Sequence, residues 1–271
     1  MENQNYKLDF FTGIILVVGL YIGAGLAQAV GLGISALFSQ DIQLTGGFSL
    51  FAYVMTMLIP ILFFYFLIAK NEGKKLCFNF STKPLRVYLL IFPMMFGMML
   101  IADYTTQLIP TTGPFLGEIY KMYNDEFAKL LSSPVLLILM TVILAPILEE
   151  ILFRGIIMKG MINNNVKPVT AIIVSAFIFG AVHFNPWQFA GAFLLGLVLG
   201  LVYYKTKSLL MSILLHAFNN LLSALMMMYS DSETFSELFK LNKEIVLVLG
   251  IVIFAIPFYF FTINKNIIYK D

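Results

Sequence analysis

Glu149-Glu150-Ile151-Leu152-Phe153-Arg154 sets two carboxylates and a guanidinium into an apolar run from Pro134 to Ile157. On the membrane-insertion scale an acid or arginine at a helix centre costs ~2.5–3.5 kcal/mol, so three cost on the order of 8–10 kcal/mol. The run also holds fifteen Leu, Ile, Val and Phe residues, which together return about −4.5 to −9 kcal/mol. A lone helix of this composition sits near break-even. Its charges must face a protein-lined interior, and such residues are candidates for chemistry. The two histidines, His183 and His216, lie in apolar segments as well. We read all of these residues as one site.

Glu150 and Arg154 are one helical turn apart on nearly the same face and suit an ion pair, with the acid N-terminal. Glu149 points about 100° away around the helix. This leaves it as the unpaired carboxylate, a candidate general base. Phe179 and His183 share a face of a later apolar segment, as do His216 and Asn220, with Asn219 beside them. A His/Asn pair can aim two donors at one small volume, which is the requirement for holding an oxyanion. Each motif alone has a plainer reading: a charge cluster locking helices, or polar groups bonding between helices.

The joint pattern says more. Glu149 lies 17 residues before Val166 and His183 lies 17 after it, so on antiparallel neighbouring helices both stand roughly 25 Å from that turn. A carboxylate and an imidazole at matched depth can hold a water between them. The water would be the nucleophile, because Ser175, Ser212 and Ser223 are not paired by sequence with a base. Glu149, His183 and His216 could instead hold a divalent metal such as zinc with an open position for that water. The spacing is not His-Glu-x-x-His, and a zinc-held water and a metal-free site remain alternatives.

The elements that must position these residues are membrane spans. Only 12% of the 271 residues are charged and 60% are hydrophobic, against about 25% charged in a soluble domain. The expectation is an all-α polytopic bundle of about eight transmembrane helices. They fall near 10–38, 48–69, 87–109, 134–160, 168–184, 187–204, 208–228 and 244–263. We expect one integral-membrane domain over 1–271 with its catalytic core at about 134–228. The run from Phe10 to Phe38 is far too long for a signal-peptide core, and Gly19-x-x-x-Gly23 within it resembles a helix-packing face. Asn185-Pro186-Trp187 fits a tight reversal with an interfacial aromatic. Ala192, Gly196 and Gly200 form a small-residue ladder for close helix contact.

Two outer loops carry helical spacing. In one, Ile119, Met122, Tyr123, Phe127, Leu130 and Leu131 recur against Glu118, Lys121, Asp125 and Lys129; in the other, Phe235, Leu238 and Phe239 do so more weakly. Both are expected to rest on the headgroups. With a cytoplasmic N-terminus the inner segments hold twelve Lys and Arg and the outer loops four, which predicts a multi-pass cell-membrane protein with both termini inside. A net charge of +2 without a basic cluster argues against nucleic acid. The single cysteine, Cys77, excludes an intrachain disulfide and a cysteine metal cluster.

Glu149-Glu150-x-x-x-Arg154-Gly155, Phe179-x-x-x-His183 and His216-x-x-x-Asn220, in this order on consecutive spans, resemble the CPBP family, the CAAX-protease and bacteriocin-processing (Abi) membrane peptidases. The resemblance implies an intramembrane endopeptidase acting on a membrane-associated protein or peptide precursor in the lipid bilayer. Family substrates are prenylated protein tails or peptide precursors, and some members serve bacteriocin self-immunity. Carried over, Glu149 is the general base that activates water with His183. His216 and Asn220 stabilise the oxyanion, and Glu150 and Arg154 support the first motif. The family is often labelled a metalloprotease. Two other classes compete: a non-enzymatic immunity or scaffold protein, for which Glu149 would be dispensable, and a transporter with a proton relay. The transporter would favour a matching acid-rich span in the first half, and none is visible.

Overall fold

The computed structural model describes residues 6–38, 45–230 and 232–264, without the side chains at 126 and 127. Every regular element among them is helical. Seven helices are long and apolar enough to cross a membrane: α1 (Phe10–Phe38), α2 (Gly46–Ala69), α3 (Leu85–Thr106), α5 (Pro134–Asn163), α7 (Pro186–Thr206), α8 (Leu209–Tyr229) and α10 (Lys243–Ile263). The remaining three are α4 (Leu116–Leu131), the apolar 14-residue α6 (Pro168–Ala181) and the short α9 (Phe235–Phe239). The chain is an all-α polytopic membrane protein. Lys265 and Lys270, used above for orientation, lie outside the described residues.

Its contacts divide it into two compact units, residues 1–78 with 143–171 and residues 79–142 with 172–271. In the first unit α1 packs along α2. In lipid this contact has no hydrophobic driving force and depends on close van der Waals fit. The fit is made at Gly19 and Gly23, as the sequence predicts. A Cβ on Gly19 would lie 2.7 Å from Pro60 Cα, and one on Gly23 would lie 2.6 Å from the Met55 carbonyl oxygen. Beyond Pro60, the ladder of α2 widens to i→i+5 bonding over Phe64–Ala69.

The second unit is built around α3, which buries Val87, Ile91, Met94, Met95, Met98, Met99 and Leu100. The same cluster takes Val198, Leu199 and Val202 from α7, Met211 and Leu215 from α8, and Val246 and Phe261 from α10. The flexible thioethers of Met94, Met95, Met98, Met99 and Met211 fill the irregular gaps between these helices. Helix α4 has the expected two faces: Ile119, Tyr123, Leu130 and Leu131 are half-buried, while Glu118, Lys121, Asp125 and Lys129 are exposed. Met122 departs from the pattern and is 68% exposed, and the Phe127 side chain lies outside the described residues. Helix α9 is more than a surface helix. A Thr234/Glu237 capping box opens it, and Phe235 is buried in the α3 cluster, edge-on to Phe96 at 5.8 Å.

Asn185 caps α7 by accepting from the Gln188 backbone N–H at 2.8 Å, with Pro186 in the first turn. The reversal is as predicted. Trp187, however, is buried against α4. Its ring lies 4.9 Å from Tyr120, and its Nε1 donates to the Ile109 carbonyl at 3.3 Å.

Candidate active site

In the first unit the sequence Ala145–Glu150 keeps α-helical bonding, and Ile151–Met158 then shifts to i→i+5 bonding. Such widened turns recur at functional sites. Glu149 and Glu150 are therefore the last two residues before the register changes. Glu150 and Arg154 are fully buried, and the guanidinium Nη1 donates to Glu150 Oε1 at 2.7 Å. The ion pair read from the i, i+4 spacing is present. Burying either ion alone would cost several kcal/mol, so the pair braces its helix while keeping both charges.

Glu149 is 7% exposed. The expectation that it is the unpaired carboxylate is overturned, because the Tyr53 hydroxyl on α2 donates to its Oε1 at 2.6 Å. The extended N-terminal segment also lies on this helix. The Tyr6 hydroxyl donates to the Gly155 carbonyl, and the Leu8 N–H donates to the Gly160 carbonyl at 3.0 Å. Asn163 and Asn164 return bonds to the Tyr6 and Leu8 carbonyls at 2.9 and 3.2 Å. Residues 6–8 thus form a strap over the second half of α5.

In the second unit α6 ends at Ala181, so His183 stands in the following turn and not within a helix, as the sequence reading had it. The cause is local. Asn185 precedes a proline and is extended, and Phe184 takes a left-handed turn at φ 56°, so the helix must stop before them. The half-buried His183 ring still folds back on Phe179, with Nδ1 2.9 Å from its carbonyl oxygen. A carbonyl only accepts, so Nδ1 carries the hydrogen, and Nε2 is the ring nitrogen left to accept when the ring carries one hydrogen.

Phe179 joins the two histidines. Its ring stands edge-on to His183 and to His216, each with a centroid separation of 5.5 Å. Gly196 on α7 makes room for it, since a Cβ there would lie 3.2 Å from Phe179 Cδ1. His216 is 5% exposed on α8. Asn220, one turn on, donates from Nδ2 to the Thr141 carbonyl at 2.7 Å, and its Oδ1 accepts from Asn219 at 2.8 Å. One of its two amide hydrogens is therefore committed to the helix backbone. Thr141 sits in a second widened stretch, Ile138–Leu144.

The sequence reading brought out Glu150 with Arg154 and the histidine-bearing motifs. It missed Tyr53, Tyr6 and Thr141. A hydroxyl in the apolar α2 is a weak signal, and nothing in the sequence links it to a partner 96 residues away. Among the described residues no group of three or more His, Cys, Asp or Glu forms a metal-binding set.

Residues 131–222, about a third of the chain, match the family described as Rce1-like, type II CAAX prenyl endopeptidase. All three motifs, from Glu149 to Asn220, fall within that segment. No curated protein and no solved structure matches the chain. The matched segment is similar to CAAX-protease (CPBP) endopeptidases, and the apolar helices make the chain a multi-pass membrane protein.

Proposed function

We propose that this protein is an intramembrane endopeptidase that hydrolyses a peptide bond in a membrane-associated protein or peptide, using a water activated by Glu149 and His183. The observation that carries the reading is that the family match encloses Glu149, His183, His216 and Asn220 in one segment. The locked tautomer of His183 supports it, because Nε2 is left as the acceptor for a water hydrogen. Glu149 takes the water proton as the hydroxyl attacks the scissile carbonyl, and it returns that proton to the leaving amine. His216 and the second amide hydrogen of Asn220 donate to the oxyanion. Glu150 and Arg154 hold the helix that presents Glu149. In this reading α6 crosses as an eighth span, so that both termini are cytoplasmic, and a prenylated C-terminal tail is the first substrate class to test.

The test uses protein reconstituted in proteoliposomes with an internally quenched prenylated peptide ending in Cys-aliphatic-aliphatic-X. Membrane peptidomes of wild-type and Glu149→Gln cells are compared in parallel to find any other precursor. Glu149→Gln and His183→Ala are each expected to lower cleavage by about 10²–10⁴-fold while inserting at normal levels. Cleavage retained by either variant removes the mechanism. Identical peptidomes, with no cleavage of the probe, remove the peptidase reading.

A further inference from the structure

Tyr53 lies on α2, far outside the matched segment 131–222, yet its hydroxyl donates to Glu149 Oε1 at 2.6 Å. That length lies in the range of a charge-assisted O–H···O⁻ bond. The carboxylate is 7% exposed, in surroundings where little water can hold it in one rotamer. Tyr53 has a fixed reach because α2 is itself held. The next turn, Met55 to Pro60, is where the glycines of α1 close on it. Within this unit Tyr53 from α2 bonds Glu149, and Glu149 and Arg154 of the same helix attract each other. Arg154 is bonded to Glu150, and Tyr53 is a group from another helix that holds the base.

We infer that Tyr53 is a positioning residue for Glu149: its hydroxyl holds one carboxylate oxygen and turns the other toward the water. Tyr53 keeps its proton throughout and does not touch substrate. This inference rests on the peptidase reading above.

The experiment measures kcat and KM for wild type, Tyr53→Phe, Glu149→Asp and the double variant in proteoliposomes, with thermal melting of each. The substrate is the quenched prenylated peptide or, if that is not cut, the precursor found by the peptidome comparison. Tyr53→Phe keeps the ring and removes only the hydrogen bond. It is expected to lower kcat by about 10- to 100-fold, the size of a hydrogen bond to a charged group, with KM and melting unchanged. Glu149→Asp pulls the carboxylate away from the hydroxyl, so adding Tyr53→Phe to it should cost almost nothing more. Wild-type kcat in Tyr53→Phe, with Glu149→Gln inactive, overturns the inference and leaves the peptidase reading standing. A fully additive double variant, a change in KM alone, or a kcat loss that tracks lost folded protein also overturns it. Activity in Glu149→Gln sinks the peptidase reading itself.

Discussion

At the scale of single residues, a charge in this chain is tolerated where a partner is supplied with it. Arg154 and Glu150 are both fully buried and bonded at 2.7 Å. Removing one partner leaves the other ion in an apolar surround, which costs about 3–5 kcal/mol. Arg154→Ala should therefore lower the folded fraction sharply in a detergent melt, whereas replacing both with Leu and Met should recover most of the stability. A melt of Arg154→Ala that overlays wild type would show that the pair braces nothing. This pair was legible in the sequence because i, i+4 spacing on one helix leaves little freedom in where the partners meet. Tyr53 was not legible, because its bond depends on which face of α2 meets α5, and that is settled by packing.

At the scale of elements, the ends of the spans were readable wherever a charge, proline or glycine bounds an apolar run. Seven of the expected spans appear within a few residues of their positions. The fifth was drawn too long, since apolar composition continues through Val182 while the backbone must already turn for Asn185-Pro186. The widened stretches Ile138–Leu144 and Ile151–Met158 left no trace in the sequence pattern. Every side chain around them is apolar, so periodicity cannot distinguish i→i+4 from i→i+5 bonding. The α1–α2 contact is the element-level test. Gly23→Ala places a methyl 2.6 Å from the Met55 carbonyl oxygen, an overpacking worth about 1–3 kcal/mol. It should lower the melting temperature and, by moving α2, reduce kcat as well. Unchanged melting would mean that α1 does not hold α2.

For the whole molecule, orientation in the bilayer is the property that the distribution of lysine and arginine predicts. The single cysteine offers a direct readout, since Cys77 is exposed in the segment between α2 and α3. A membrane-impermeant maleimide should label it in inverted vesicles and leave it unlabelled in intact cells; the reverse pattern would turn the topology over. The N-terminal strap adds a consequence about time. Tyr6 meets Gly155 across 149 residues, and the Asn163 and Asn164 side chains reach strap carbonyls across 157 and 156. During translation residues 6–8 leave the ribosome long before their seat has been made. This strap is thus among the last pieces to dock, and its locking marks the moment when the helix carrying Glu149 reaches its finished form.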